Sequence, residues 1–135
     1  NIGKNAATPI EDATRDNQHY RRVLFTAKHS QLVLMNLKPG EEIGEEVHGM
    51  DQFIRFEEGE GTVVLDGEKH AVSDGFAVVI PAGTRHNVVN SGKTAALKLY
   101  SLYSPPEHKD GIIHKTKQEA DADHDHHFDG RTSMK

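Results

Sequence analysis

"GFAVVIPAGTRHNVVN", residues 75–90, decides how this chain is read. An apolar run from Phe76 to Ile80 stops at Pro81-Ala82-Gly83, and a second run continues from Arg85 to Asn90. Proline fixes φ and lacks an N–H, while glycine accepts left-handed φ, so Pro-x-Gly is a tight turn at the end of a strand. The turn aims the second run back along a sheet. Side chains alternate on a strand, so His86, Val88 and Asn90 share one face.

Working outward, short apolar runs follow one another from Tyr20 to Tyr103. The candidate strands are residues 20–26, 31–37, 51–57, 61–66, 76–80, 85–90 and 95–103. Asp66-Gly67 is a hairpin signal. Strands at this spacing with no helical pattern between them predict an all-β sandwich or closed barrel. "LVLM" (32–35) and "AVVI" (77–80) are apolar on consecutive residues, the pattern of strands buried on both faces. In a small barrel a second subunit is the simplest cover for an outer face, so a homodimer is expected; in the alternative, two sheets of a sandwich cover each other. Residues 1–19 read as an irregular N-terminal arm with Ile2 and Ile10 as anchors, and residues 20–105 as the barrel. Residues 106–135 form a C-terminal extension. It holds a short surface helix in "KTKQEADAD" (115–123) and a His-rich tail folded back through Phe128.

The 135 residues suit one core, and 35% apolar with 27% charged residues is the balance of a folded domain. The chain has no cysteine, which excludes thiolate ligands, a Cys nucleophile and disulfides. A net charge of −5, with seven glutamates between 41 and 60, repels nucleic acid, and no basic stripe offsets it. No apolar run approaches a membrane span, and a cytoplasmic location is the expectation. Of the ten histidines, those in "HDHH" (124–127) read as a solvated tail rather than a metal site.

Gly75, five residues, Pro81-x-Gly83, two residues, His86, three residues, Asn90 resembles the second conserved motif of the cupin superfamily at every position. The stretch Gly40-x5-Glu46-x-His48-x3-Gln52-x6-Gly59 resembles the first motif, whose pattern is Gly-x5-His-x-His-x3/4-Glu-x6-Gly. Glu46 stands where the family has its first histidine, and Gln52 where it has its glutamate. The resemblance covers residues 20–105, and the chain length and "SPPEHKDG" (104–111) are similar to small bacterial single-domain cupins labelled mannose-6-phosphate-isomerase-like. It implies a double-stranded β-helix, or jelly roll, with the metal at the mouth. Gly40, Gly59, Gly75, Pro81, Gly83 and Asn90 then read as structural.

Spacing supports that geometry. Glu46 and His48 are two apart and project from one face of a strand; Gln52 returns to it after a bend at "GMD" (49–51). Glu46, His48, Gln52 and His86 would supply two imidazoles, one carboxylate and one amide oxygen. The competing readings are a surface histidine at His48, an exposed acid at Glu46 and a core-edge amide at Gln52. This donor set suits Mn²⁺ or Fe²⁺ best, with Zn²⁺ or Ni²⁺ also acceptable, and leaves positions for water or substrate oxygens. A metal-dependent enzyme on a sugar or organic acid is expected, with isomerase-like or oxygenase/decarboxylase-like chemistry. A non-catalytic metal-centred binding module and a structural barrel are the alternatives. Arg55, Arg85 and Tyr100 are the candidate substrate-binding residues. Tyr100, Tyr103 and His70 could each serve as a base, and no spacing selects among them.

Overall fold

The computed structural model describes residues 7–134; Ile2, read as an anchor, lies outside them. The elements in chain order are α1 (Ile10–Asp16), β1 (Arg21–Thr26), β2 (Gln31–Leu37), β3 (Asp51–Glu58) and β4 (Glu60–Leu65). They continue as β5 (Glu68–Ser73), β6 (Ala77–Ile80), β7 (His86–Val89), β8 (Leu97–Ser104), β9 (Ile113–His114) and α2 (Lys117–Ala122). Two antiparallel sheets make the barrel: one of six strands, β6-β3-β8-β2-β1-β9, and one of three, β5-β4-β7. This is an all-β jelly roll with a short C-terminal helix.

Alternation explains the core. Val33, Met35 and Leu37 of β2, Ile54 and Phe56 of β3, and Leu97 and Leu99 of β8 point inward and are fully buried. Val63 of β4 and Val88 of β7 meet them from the smaller sheet. Each such side chain contributes about 1.5–3 kcal/mol by leaving water.

The glycines with positive φ sit where the chain must reverse. Gly67 (φ 84°) with Asp66 (φ 48°) closes the β4–β5 hairpin in the two-residue turn that Asp-Gly signals. Gly59 (φ 96°) is different, because backbone lies against it: a Cβ there would sit 2.3 Å from the Ala96 carbonyl oxygen.

The structure departs from the sequence reading in four places. The arm is not irregular: residues 10–16 form α1, anchored by buried Thr14 and by Arg15, whose guanidinium pairs with Glu11, Glu58 and Asp74. "AVVI" is not buried on both faces. It is the sheet-edge strand β6, with Ile80 inward and Val79 65% exposed beside Phe53. β5 was missing from the candidate strands, because its Glu68, Lys69 and His70 are exposed and only Val72 is buried. It is held by pairing with β4 rather than by an apolar pattern. The β pattern also resumes after residue 108, where β9 adds to the sheet edge at Arg21↔His114 and Arg22↔Ile113. A strand of two residues offers no periodicity to detect.

The extension does fold back. Thr116 caps α2 by accepting from the Glu119 N–H (3.1 Å). Phe128 is half-buried and its N–H bonds the Glu107 carbonyl, so it is one anchor among several. The Ser133 N–H bonds the Thr26 carbonyl, and the ring of His126 lies 5.2 Å from that of His108.

Candidate metal centre

The segment from Glu41 to His48 is not a regular strand but runs antiparallel to β7 through discrete bridges. The Ile43 N–H bonds the Val88 carbonyl, and Glu46 and His86 exchange both backbone hydrogen bonds, at 2.8 and 2.9 Å. Directly opposed residues of an antiparallel pair put their side chains on one face. Glu46 is therefore fixed beside His86 by backbone alone. The Gly83 N–H holds the His48 carbonyl at 2.8 Å, so the Pro-x-Gly turn positions both histidines.

Three donors converge. Ligand atoms of Glu46, His48 and His86 all lie within 4.8 Å of one another, and the two imidazole rings are edge-on with centroids 4.8 Å apart. His86 is 4% exposed and its Nδ1 lies 2.8 Å from the Thr84 carbonyl oxygen. A carbonyl only accepts, so Nδ1 carries the proton and Nε2 keeps its lone pair. That is the tautomer a metal needs. His48 Nε2 lies 3.3 Å from Glu46 Oε2 and 3.0 Å from Glu107 Oε2, yet neither contact is aligned as a hydrogen bond. Two carboxylates and two imidazoles this close together suit a shared cation.

Gln52 sits beside this group. Its amide nitrogen donates to Ser101 Oγ (3.1 Å) and to the Tyr103 hydroxyl (3.2 Å), which leaves Oε1 buried with no partner. An orphaned buried acceptor costs about 1–3 kcal/mol, and a cation would satisfy it. Asn90 is structural as expected: its amide bonds the carbonyls of Leu37 and Ala95 and accepts from the Gly92 N–H.

Charge at the trio is mutually supporting. Burial pushes the Glu46 carboxyl up, but the neighbouring His48, with Arg21 and His86 behind it, outweighs burial and holds it below the usual range. Burial pushes His48 down, but Glu46 and Glu107 outweigh it and raise it. Tyr103 is raised by burial and stays a neutral hydroxyl. It lies close to His48 and His108, with ring centroids 6.1 and 5.4 Å away.

Of the residues expected to hold substrate, the structure does not bring Arg55 and Tyr100 to the trio. They face each other on β3 and β8, one step out of phase with the inward Ile54, Ser101 and Leu99, on the outer face of the large sheet. Arg55 turns to Glu57 (3.6 Å) there. Arg85 precedes His86, projects to the opposite face and lies 3.4 Å from Glu45 in solvent. Two-residue periodicity settles all three placements.

Two residues that sequence reasoning missed are at the site instead. Glu107 is 8% exposed and reaches His48 from the extension. The Gln31 side chain clamps its segment, accepting from the N–H groups of Glu107 and His108 and donating to the His108 carbonyl (2.7 Å). Arg21 is 7% exposed and its charge is felt at Glu46, His48 and His108. No local motif marks either residue; only the folded-back extension brings 107 to 48.

His108 has a testable consequence. Burial, then the positive field of Arg21, pushes it well below the ordinary histidine range, so it is neutral when folded. The unfolded chain takes up that proton below about pH 6.5, so this residue makes stability fall as pH drops through that value. His108→Phe is expected to shrink the Tm difference between pH 7.5 and pH 5.5. The opposing contribution from His48, whose pKa is raised, and the contribution of the same sign from Glu46, whose pKa is lowered, are common to both proteins and cancel. An unchanged difference would show that His108 titrates normally.

A family model described as a cupin domain matches residues 33–103. The chain is 47% identical over 123 residues to the uncharacterized protein YrkC of Bacillus subtilis (strain 168), covering 86% of this chain and 66% of that protein. It is 47% identical over 109 residues to the uncharacterized protein L612 of Acanthamoeba polyphaga mimivirus, covering 77% of this chain and 68% of that one. The chain thus spans about two thirds of the length of these relatives. Among solved structures, BH2720 from Bacillus halodurans aligns with a TM-score of 0.84 at 45% identity, covering 87% of this chain and 94% of that one. Among the described residues no helix is long and apolar enough to cross a membrane.

Proposed function

This chain belongs to the cupin domain family, and we propose that it is a divalent-metal-dependent enzyme acting on a small oxygenated metabolite such as an organic acid or sugar. The observation that carries the reading is the convergence of Glu46, His48 and His86, with His86 held as the Nδ1–H tautomer. Gln52 Oε1 is the fourth donor. Two imidazoles with hard oxygens favour Mn²⁺ or Fe²⁺ over a soft ion. When bound, such an ion polarises a substrate carbonyl or carboxylate and stabilises developing oxyanion charge.

The chain's own residues set the rest. The Thr84 carbonyl keeps the proton off His86 Nε2. Ser101 and Tyr103 turn the Gln52 oxygen away from their own hydroxyls. Glu107, fixed by Gln31, is a second carboxylate beside His48 and can hold a proton or complete the donor set.

The same reading includes a second copy of the chain on the outer face of the large sheet. That face bears Val79, Phe53 and Leu102 in one cross-strand row, with Val79 and Leu102 exposed. Contiguous exposed apolar surface of this kind is a common site of self-association.

The test is elemental analysis of tag-free protein purified without a nickel column, with sedimentation equilibrium on the same sample. About one manganese or iron per chain is expected, with a Tm that falls on chelation and a dimer mass. Protein that carries no metal, and whose Tm no added divalent ion raises, would remove the enzyme reading; a monomer mass would remove the dimer alone.

A further inference from the structure

The mouth of the barrel beside Glu46 opens into a cavity of about 260 Å³, roofed by α2 and the tail and lined by Tyr20, Arg21, Glu46, Asp123, His126 and His127. Its walls carry four formal charges that matter. Asp121, at its rim, is paired with Lys117 (3.0 Å), and Asp123 accepts from His114 Nε2 (2.9 Å). Glu46 belongs to the metal trio. That leaves Arg21.

Arg21 is a buried cation without a direct counter-ion. Its Nη1 donates to His114 Nδ1 (3.1 Å), a neutral nitrogen, since the ring's proton is on Nε2 toward Asp123. Its Nε is buried with no hydrogen-bond partner, and among the described residues no carboxylate forms an ion pair with it. The Tyr20 ring, 5.4 Å from the guanidinium carbon, gives a cation–π contact but no negative charge, and a guanidinium taken out of water without a counter-ion is costly for a small core. It persists where a ligand supplies the missing charge. The planar fork of N–H donors matches a carboxylate in bidentate fashion.

We propose that Arg21 is the substrate-anchoring residue of this site and that the substrate class is a small monocarboxylate. Its carboxylate pairs with Arg21, and its adjacent hydroxyl or carbonyl oxygen extends past Glu46 to the metal trio. The inference rests on the metal-centre reading for the second contact and on the Arg21 pocket for the first. Phosphate fits less well, because Asp121, Asp123 and Glu46 line the same cavity and repel a dianion more than a monoanion. The roof comes from the extension, so the extension takes part in substrate selection.

The test is calorimetric titration of the full chain with glycolate, its neutral isostere glycolamide and inorganic phosphate, with metal content measured on every sample. Wild-type protein is expected to bind glycolate at least tenfold more tightly than either alternative. Arg21→Met is expected to lose tenfold or more in glycolate affinity, keep its metal, and unfold without ligand at a Tm no lower than wild type. Should Arg21→Met fail to fold, Arg21→Lys keeps the charge without the fork and is expected to weaken glycolate binding while retaining metal. Equal glycolate affinity in the variant, or equal binding of glycolamide by wild type, overturns the proposal. Tighter binding of phosphate overturns the carboxylate class. Metal-free wild type that still prefers glycolate through Arg21 would count against the metal reading and not against this one.

Discussion

Replacing His86 with alanine is expected to take bound metal from about one ion per chain to a small fraction of that, with the β-rich circular dichroism unchanged. His86 is the donor whose preparation is most complete: buried, opposed to Glu46 by a double backbone bridge, and fixed in tautomer by the Thr84 carbonyl. Loss of a partner behind a ligand costs about 10–100-fold in affinity, and loss of the ligand itself should exceed that. The fold should survive, because β7 is held by its pairing with β4 and by Val88 in the core, neither of which involves the imidazole. A stability loss of about 1–3 kcal/mol from the small cavity is expected, read as a lower Tm. If the β signal disappeared, His86 would be a packing residue. If the metal stayed at full stoichiometry, the ion would be held elsewhere, and the tail histidines would be the place to look.

Gly59→Ala is expected to be the most damaging single-methyl change in the barrel. Two costs act together at this position. A φ of 96° is one that L side chains rarely adopt, worth about 1–2 kcal/mol. The new Cβ would also stand 2.3 Å from the Ala96 carbonyl oxygen and 3.0 Å from Leu97 Cα, both backbone, so nothing flexible can move aside. A total of about 3 kcal/mol or more, roughly 10 °C in Tm, is the expectation. Gly67→Ala is the control. Its φ is also positive, at 84°, but nothing lies within 4 Å of the added methyl, so only the conformational cost applies. Equal losses at the two positions in thermal unfolding would show that β8 yields near Ala96 and that the close approach is not a constraint.

The two histidines and their turn were legible in the sequence for a physical reason: Pro81-x-Gly83 is a local device, and strand periodicity then fixes the face of His86 without knowledge of the rest of the chain. The same periodicity, applied to Arg55, Arg85 and Tyr100, was available and argues against them. Each is out of phase with an inward neighbour. Arg55 and Arg85 are the cations nearest in sequence to the motifs, and nearness in sequence is no guide across a pleat. Gln52 lies between the two cases. The sequence placed it at the ligand position, and the hydroxyls of Ser101 and Tyr103, from a strand some fifty residues away, orient its oxygen.

By itself the sequence determined the run of short strands, the hairpin at Asp66-Gly67, the short helix within residues 115–123 and the face of His86 on its strand, since each depends on contacts within a few residues. Only the tertiary structure decided that α1 forms, that β9 is a strand, and that Glu107 stands beside His48 and Arg21 beside Glu46. Those outcomes rest on partners far apart in the chain: Arg15 on Glu58 and Asp74, β9 on β1, and Gln31 on the backbone of residues 107 and 108. The interactions that build a site of this kind close long loops, and no local pattern records which ends will meet.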